Sequence, residues 1–169
     1  MLKIWINIML ISFLQSLVAC GQQTYDQKLQ SLYKKTVPLI QPKAVDKKLN
    51  KNEVFILDTR SAKEYSVSHL PNAQFIDYDR FDISQVEDIP KDKEVIVYCS
   101  VGYRSEKIGE KLKEAGFQNV SNMYGGIFQW KNEDLNVVNQ QGEITDSVHT
   151  YNKRWGKWLE EGKGIKIYE

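Results

Sequence analysis

The stretch "VIVYCSVGYRSEKIGEKLKEAG" sets a lone cysteine, Cys99, between an apolar β-type run and a helical pattern, with Gly102, Arg104 and Ser105 close behind it. A tight loop at such a junction turns backbone N–H groups inward, and a helix beginning near Arg104 or Ser105 adds its positive end. Both favour the thiolate, which is the nucleophilic form of cysteine. Gly102 allows a backbone conformation that a side chain would obstruct, and Arg104 offers a fixed cation to an anionic substrate. A free cysteine in a folded chain is often only a small buried hydrophobe. A nucleophile, an anion cradle and a guanidinium in one short loop are poorly explained by core packing, and they point to covalent chemistry at sulfur.

The elements that must hold this loop are legible around it. "EVIVYC" is the strongest strand candidate, with Val95, Ile96 and Val97 in a row. "RSEKIGEKLKEAG" reads as a helix with Ile108, Leu112 and Ala115 on one face and Gly116 as its C-terminal cap. Upstream, "VFILD" is a compact run suited to a fully buried strand, and "RSAKEYSVSHLPNA" is a polar connection with a helical turn, closed by Pro71. "QFIDY" is a second short strand and "DISQVEDIPKD" a loop or short helix; a helical pattern also runs through Ala44, Val45 and Leu49 after Pro42. "NVSNMYGG" suggests a further strand with a glycine turn, and "IFQWKNE" a short helix. Strands alternating with helices predict an α/β domain, a small parallel sheet flanked by helices on both faces. Residues 139–169 read as a helical extension packed on the domain, with Trp155 and Trp158 three apart on one face.

Composition sets the outer bounds. The 169 residues are 41% hydrophobic and 27% charged with a net charge of +1, so a single core is expected and no basic footprint points to nucleic acid. The first residues depart from this average. "MLKIWINIMLISFLQSLVAC" has one basic residue, Lys3, then an apolar run too short for a comfortable membrane span, the layout of a secretory signal. Its end, Leu17, Ala19 and Cys20 followed by Gly21, resembles the lipobox of bacterial lipoproteins. That resemblance implies removal of residues 1–19, diacylation of Cys20 and anchoring in a membrane of the bacterial cell envelope, with residues 20–35 as lipidated N-terminus and tether. Acyl chains bury about 0.8 kcal/mol per methylene, so two give stable attachment. With Cys20 consumed, Cys99 is the one thiol left, without an intramolecular disulfide partner.

On these residues the chain resembles the single-domain rhodanese-like sulfurtransferases. Cys99, Gly102, Arg104 and Ser105 match their Cys-x-x-Gly-x-Arg-Ser loop; "LDTRSAKEYSVSHLPNAQFI" is similar to the upstream signature at Asp58, Arg60, Glu64, Tyr65, His69, Pro71 and Ala73; "YGGIFQW" is similar to the downstream one at Gly125, Gly126 and Trp130. The resemblance covers residues 36–138 and implies a rhodanese-like fold and a persulfide relay. Cys99 would take sulfane sulfur from a small donor such as thiosulfate and pass it to a thiol acceptor. It further implies that the loop residues Ser100, Val101, Gly102, Tyr103, Arg104 and Ser105 bind substrate, with Ser105 either capping the helix or hydrogen-bonding the thiolate. Asp58 and Arg60 would form a structural ion pair near the loop, His69 would hold its connection by hydrogen bonds, and Trp130 would be core.

No metal or organic cofactor is required by such a relay, and the two histidines, His69 and His149, are too far apart in sequence to suggest a ligand cluster. The chain is expected to work as a monomer. Two alternatives stay open. Related cysteine phosphatases and arsenate reductases place one residue more between cysteine and arginine than the four here, "SVGY", and so hold a tetrahedral oxyanion. A non-catalytic, membrane-tethered binding module would also use this fold.

Overall fold

The computed structural model describes residues 23–51 and 54–168; the signal-like segment and Cys20 lie outside the described residues. Helix α1 (Tyr25–Leu32) leads into strand β1 (Leu39–Ile40) and helix α2 (Pro42–Leu49). Then come β2 (Phe55–Asp58), α3 (Ala62–Val67), β3 (Gln74–Phe75), a 3-10 turn (Ile83–Val86), β4 (Glu94–Tyr98), α4 (Tyr103–Glu114), β5 (Asn119–Met123) and α5 (Gly126–Asn132). The first five strands make one parallel sheet in the order β1-β5-β4-β2-β3, with Ile56 opposite Ile96 and Leu57 opposite Val97.

The apolar runs of β2 and β4 follow from burial on both faces. Ile56, Ile96 and Tyr98 face a core shared with Leu29, Val45, Met123 and Phe128, whereas Leu57, Val95 and Val97 face a second core with Ile108, Leu112 and Val120. Helices α1, α2 and α5 therefore cover one face and α4 the other, the fold class that the sequence predicts. Pro42 starts α2 at its first turn, where its missing N–H costs nothing. The α4 helix begins at Tyr103, a residue before the predicted start, because Gly102 at φ +93° supplies its left-handed N-cap. Gly116, at φ +91°, follows its C-terminal end as expected.

Two expectations need correction. Residues 20–35, which suit a short helix or a tether, form over their described part a helix packed on the domain and not a tether. Thr24 and Gln27 form a capping box that starts α1, and Leu29 is fully buried in the first core with Tyr33 beside it. The backbone N–H groups of Lys34 and Thr36 donate to the buried Glu106 carboxylate of α4, fastening the next residues to the opposite face.

The tail is not a continuous helix. Val137–Val138 (β6) pairs with Ile144–Thr145 (β7) as a hairpin, and Ser147–His149 (β8) pairs in parallel with Ile165–Ile167 (β9). One helical turn, α6 (Lys153–Gly156), lies between. Left-handed backbone at Tyr151 (φ +66°) and Gly162 (φ +79°) bounds the segment that holds Trp155 and Trp158 and keeps it from extending as a helix, while β8 and β9 pair on either side of it. Packing is as predicted: Val148, Trp158 and Leu159 join the first core, and Trp158 stacks on Tyr25 with ring centroids 5.4 Å apart. Asn132 of α5 donates to the Trp158 carbonyl at 3.0 Å and accepts from the Glu160 N–H at 2.9 Å. The domain thus extends beyond residue 138 in its packing.

If α1 is part of the core, Leu29→Ala should destabilise the chain by about 2–5 kcal/mol. Chemical denaturation of the purified protein measures it; a change within about 0.5 kcal/mol, the size of an ordinary surface substitution, would restore the tether reading.

Candidate active site

The loop after β4 is fixed through its carbonyl groups. Cys99 O accepts from the Ile127 N–H at 2.9 Å, and Ser100 O from the Phe128 N–H at 3.3 Å, both at the start of α5. Val101 O accepts from the Tyr33 hydroxyl at 2.7 Å, and Gly102 O from Asn122 Nδ2 at 2.9 Å. In a trans peptide the following N–H points opposite to the carbonyl. With the Val101 carbonyl held by Tyr33, the following Gly102 N–H is turned the other way, and it donates to Cys99 Sγ at 3.1 Å.

Two glycines make this packing possible. A Cβ on Gly126, at φ +55°, would collide with the Cys99 carbonyl oxygen; one on Gly102 would collide with the Tyr33 ring and hydroxyl. Tyr33 also accepts from the Gly125 N–H at 2.8 Å, so a single phenol ties the cysteine loop to the glycine turn before α5. Burial pushes this phenol well above its ordinary value, with the Gly125 hydrogen bond opposing, so it remains a donor to Val101.

Beside the cysteine lies an ion pair. Arg104 Nη1 donates to Glu64 Oε2 at 2.8 Å and Nη2 to Oε1 at 2.7 Å, a two-pronged contact with the carboxylate buried and the guanidinium partly exposed. Ser100 Oγ donates to Glu64 Oε1 at 2.7 Å and lies 3.0 Å from Arg104 Nη2. Glu64 also caps its own helix, taking hydrogen bonds from the Ser61 N–H and hydroxyl, both at 3.0 Å. Burial alone would raise the Glu64 carboxyl; the hydrogen bonds and charge of Arg104, with Arg60 and Ser100 adding, hold it well below the usual carboxylate range.

A second buried pair supports the strand ends. Arg60 Nη2 reaches Asp58 Oδ2 at 2.7 Å, the Tyr98 hydroxyl donates to the same oxygen at 2.5 Å, and Arg60 Nη2 also holds the Ser68 carbonyl. Both ionic side chains are fully buried. A cavity of about 510 Å³ opens against the loop. Its polar lining is Ser61, Glu64, Asp79, Cys99, Ser100 and Arg104. Cys99 is only 1% exposed, so reagents reach its sulfur through this chamber.

Most of the sequence-predicted residues converge here. Cys99, Ser100, Val101, Tyr103 and Arg104 line the cavity, and Gly102 shapes it from behind. Arg104 is present but its charge is matched by Glu64, so it is not the unpaired cation that the loop motif suggests. Ser105 does not line the cavity: it is buried and its hydroxyl donates to Asn122 Oδ1 at 2.8 Å, which positions the amide that holds Gly102 O. It serves the loop through Asn122 because its place in the first turn of α4 faces β5 rather than the sulfur.

Asp58 and Arg60 stand behind the loop as an ion pair, as expected. His69 pairs through its backbone with Val138 at 2.9 Å in both directions, and its Nδ1 is 3.1 Å from the Tyr65 carbonyl. Trp130 is buried, its indole N–H on the Asn136 carbonyl. Sequence reasoning assigned no role to Glu64, although Ser61 and Glu64 have the spacing of a capping box that would have marked it. Tyr33, Asn122, Leu32, Tyr151 and Trp155 carried no local signal that tied them to the cysteine loop. Among the described residues no group of His, Cys, Asp and Glu could hold a metal ion, and no helix is long and apolar enough to cross a membrane.

With a parallel sheet, a cysteine loop at the head of α4 and a glycine turn feeding α5, the site has the parts of one family. The chain matches the rhodanese-like domain over residues 41–133 and belongs to that family. It is 31% identical over 90 residues to a sulfurtransferase of Allochromatium vinosum, covering 53% of this chain and 83% of that one. It is also 31% identical over 122 residues to a tRNA uridine(34) hydroxylase of Listeria welshimeri, covering 68% of this chain but 37% of the relative. The BH2092 protein of Bacillus halodurans superposes with a TM-score of 0.59 at 22% identity, over 80% of this chain and 98% of that one, a likeness of fold.

The Glu64 pairing has a pH signature. Its carboxyl is depressed in the folded chain, so its contribution is fully present above the ordinary carboxylate value of about 4.3 and is lost as pH falls below it. Glu64→Gln should lower stability at neutral pH by about 1.5–3 kcal/mol, the range for hydrogen bonds to a charged group, and should flatten the acid limb of the stability profile. Denaturant titrations at several pH values test this; an unchanged acid limb would show that the carboxylate is not held by Arg104.

Proposed function

We propose that this protein is a sulfurtransferase that carries sulfane sulfur as a persulfide on Cys99, with a donor such as thiosulfate and a thiol as acceptor. The observation that carries this reading is the Cys99 sulfur at the wall of a cavity, with the Gly102 N–H donating to it at 3.1 Å. The family membership and the resemblance to a sulfurtransferase support it.

The relay is two displacements, which divides a difficult transfer into easier steps. Cys99 thiolate attacks the outer sulfur of thiosulfate; the new S–S bond forms as the old one breaks, and sulfite leaves with its electron pair. An acceptor thiolate then attacks the terminal persulfide sulfur, and Cys99 leaves as thiolate. The electron bookkeeping closes without an outside oxidant. Inward N–H groups and the start of α4 stabilise the negative charge on the sulfur. Burial of the cysteine keeps water from the persulfide. The four-residue interval between Cys99 and Arg104 encloses a single sulfur more tightly than a tetrahedral oxyanion.

Cys99→Ser should lower thiosulfate:cyanide transfer by at least about 10³-fold, as loss of a covalent nucleophile does, with the unfolding transition preserved. Intact mass after thiosulfate treatment should show one added sulfur on the wild type and none on the variant. Near-wild-type transfer by the variant, or aryl phosphate hydrolysis without sulfur uptake, would refute the assignment.

We further propose that Cys20 is the lipidated N-terminus of the mature protein and anchors it in the bacterial cell envelope, on the motif Leu17, Ala19, Cys20 and Gly21. Labelled fatty acid should enter the wild-type chain in a bacterial host and not the Cys20→Ala variant; wild type without label would remove the anchor and add a second thiol to the mature chain.

A further inference from the structure

The chamber beside Cys99 is not built by the family-matching segment alone. Residues 41–133 supply the cysteine loop and Phe128. Leu32 comes from α1, and Tyr151 and Trp155 come from the C-terminal segment. Together with Val101 and Tyr103 these make a wall of apolar and aromatic side chains. The space, about 510 Å³, is that of a site for an organic molecule and far exceeds a four-oxygen-sized inorganic anion.

The charges point the same way. Arg104 is the one cation among the described residues that line the chamber, and Glu64 engages both of its terminal nitrogens. Asp79 adds a second carboxylate to the lining, against the single guanidinium of Arg104. A compact dianion such as thiosulfate would meet a neutralised arginine, the Asp79 carboxylate and the Cys99 thiolate. A donor whose sulfane sulfur sits on an uncharged aromatic body would bury that body against Trp155, Tyr151, Leu32 and Phe128, and would bring less negative charge.

We propose, building on the sulfurtransferase reading, that the donor class of this protein is an organic sulfane-sulfur compound with an apolar, aromatic-sized body, seated on the wall that α1 and the C-terminal segment add. In the step itself Cys99 thiolate attacks the terminal sulfur and the S–S bond to the donor body breaks. The body leaves with the electron pair, as a thiolate from a hydropersulfide or a sulfinate from a thiosulfonate. The Cys99 sulfur is oxidised and the leaving group reduced by the same two electrons.

Two thiosulfonates of equal charge isolate the body from the chemistry. With the purified full chain and cyanide as acceptor, kcat/KM should favour benzenethiosulfonate over methanethiosulfonate by at least about tenfold, after division by their relative rates with free cysteine. Trp155→Ala should reduce that preference at least about fivefold, mainly through KM. Tyr151→Ala, altering a half-exposed side chain, provides the same measurement should the tryptophan variant fold poorly. Equal use of the two donors, or a preference that survives both substitutions, overturns the proposal while leaving sulfur transfer intact. No sulfur on Cys99 from any donor, thiosulfate included, overturns it together with the reading on which it rests.

Discussion

The outward pinning of four consecutive carbonyls, from Cys99 to Gly102, is the constraint on which this structure turns. Three parts of the chain hold them: α5 holds two, Tyr33 one and Asn122 one. A loop with its N–H groups turned inward would be unstable by itself, since peptide dipoles aligned in one direction repel and unmade buried hydrogen bonds each cost about 1–3 kcal/mol. Here the carbonyl ends are all satisfied by protein, and the Gly102 N–H is left to face the sulfur. The geometry needed for an anionic sulfur is therefore created behind the loop, by groups that never touch it. That explains why Gly126 must approach the Cys99 carbonyl without a Cβ, and why Ser105 acts through Asn122.

Charge burial imposes a second layer of dependence. Glu64 and Asp58 are carboxylates taken out of water, which is tolerable only where a cation and several donors replace the solvent. Arg104 with Ser100 and Ser61 does this for Glu64; Arg60 with Tyr98 does it for Asp58. The two pairs have different outcomes. The Asp58 pair is fully enclosed and ties β2, β4 and the connection at Ser68 together. The Glu64 pair faces the chamber and, by neutralising Arg104, sets the electrostatic character of the place where a substrate must sit. One residue thus caps the start of a helix, orients an arginine and offsets a positive charge in the site.

What the sequence disclosed is bounded by what is local. The chemistry of Cys99, Gly102 and Arg104 could be read because the strand end, the turn and the helix start are contiguous, and each leaves its own residue signature. Strands β2 and β4 were legible as continuous apolar runs because both of their faces are buried. Strand β1 was not, since two residues carry no period and Leu39–Ile40 is a strand only through pairing with β5. The tail misled for a related reason: Trp155 and Trp158 do have helical spacing, but Tyr151 and Gly162 adopt left-handed backbone that no spacing rule weighs. Tyr33 and Glu64 contact the loop from 68 and 40 or fewer residues away along the chain, and nothing in their neighbourhoods names a partner at such distance.

These limits fall along a division within the molecule. The segment that matches the family holds the nucleophile, its loop and the ion pairs, which any transfer of sulfur through a buried cysteine would need. The flanking segments contribute the Tyr33 fastening and half of the apolar and aromatic wall. Attack on a terminal sulfur asks little of the body that carries it, because the bond that forms and the bond that breaks both lie at one end of the donor. Discrimination between donors must then come from surfaces further from the sulfur. Placing those surfaces on α1 and on the segment through α6 lets them vary without disturbing the four carbonyls behind Cys99. The one exception is Tyr33, which belongs to a flank yet holds the loop, so the N-terminal segment shapes reactivity as well as access.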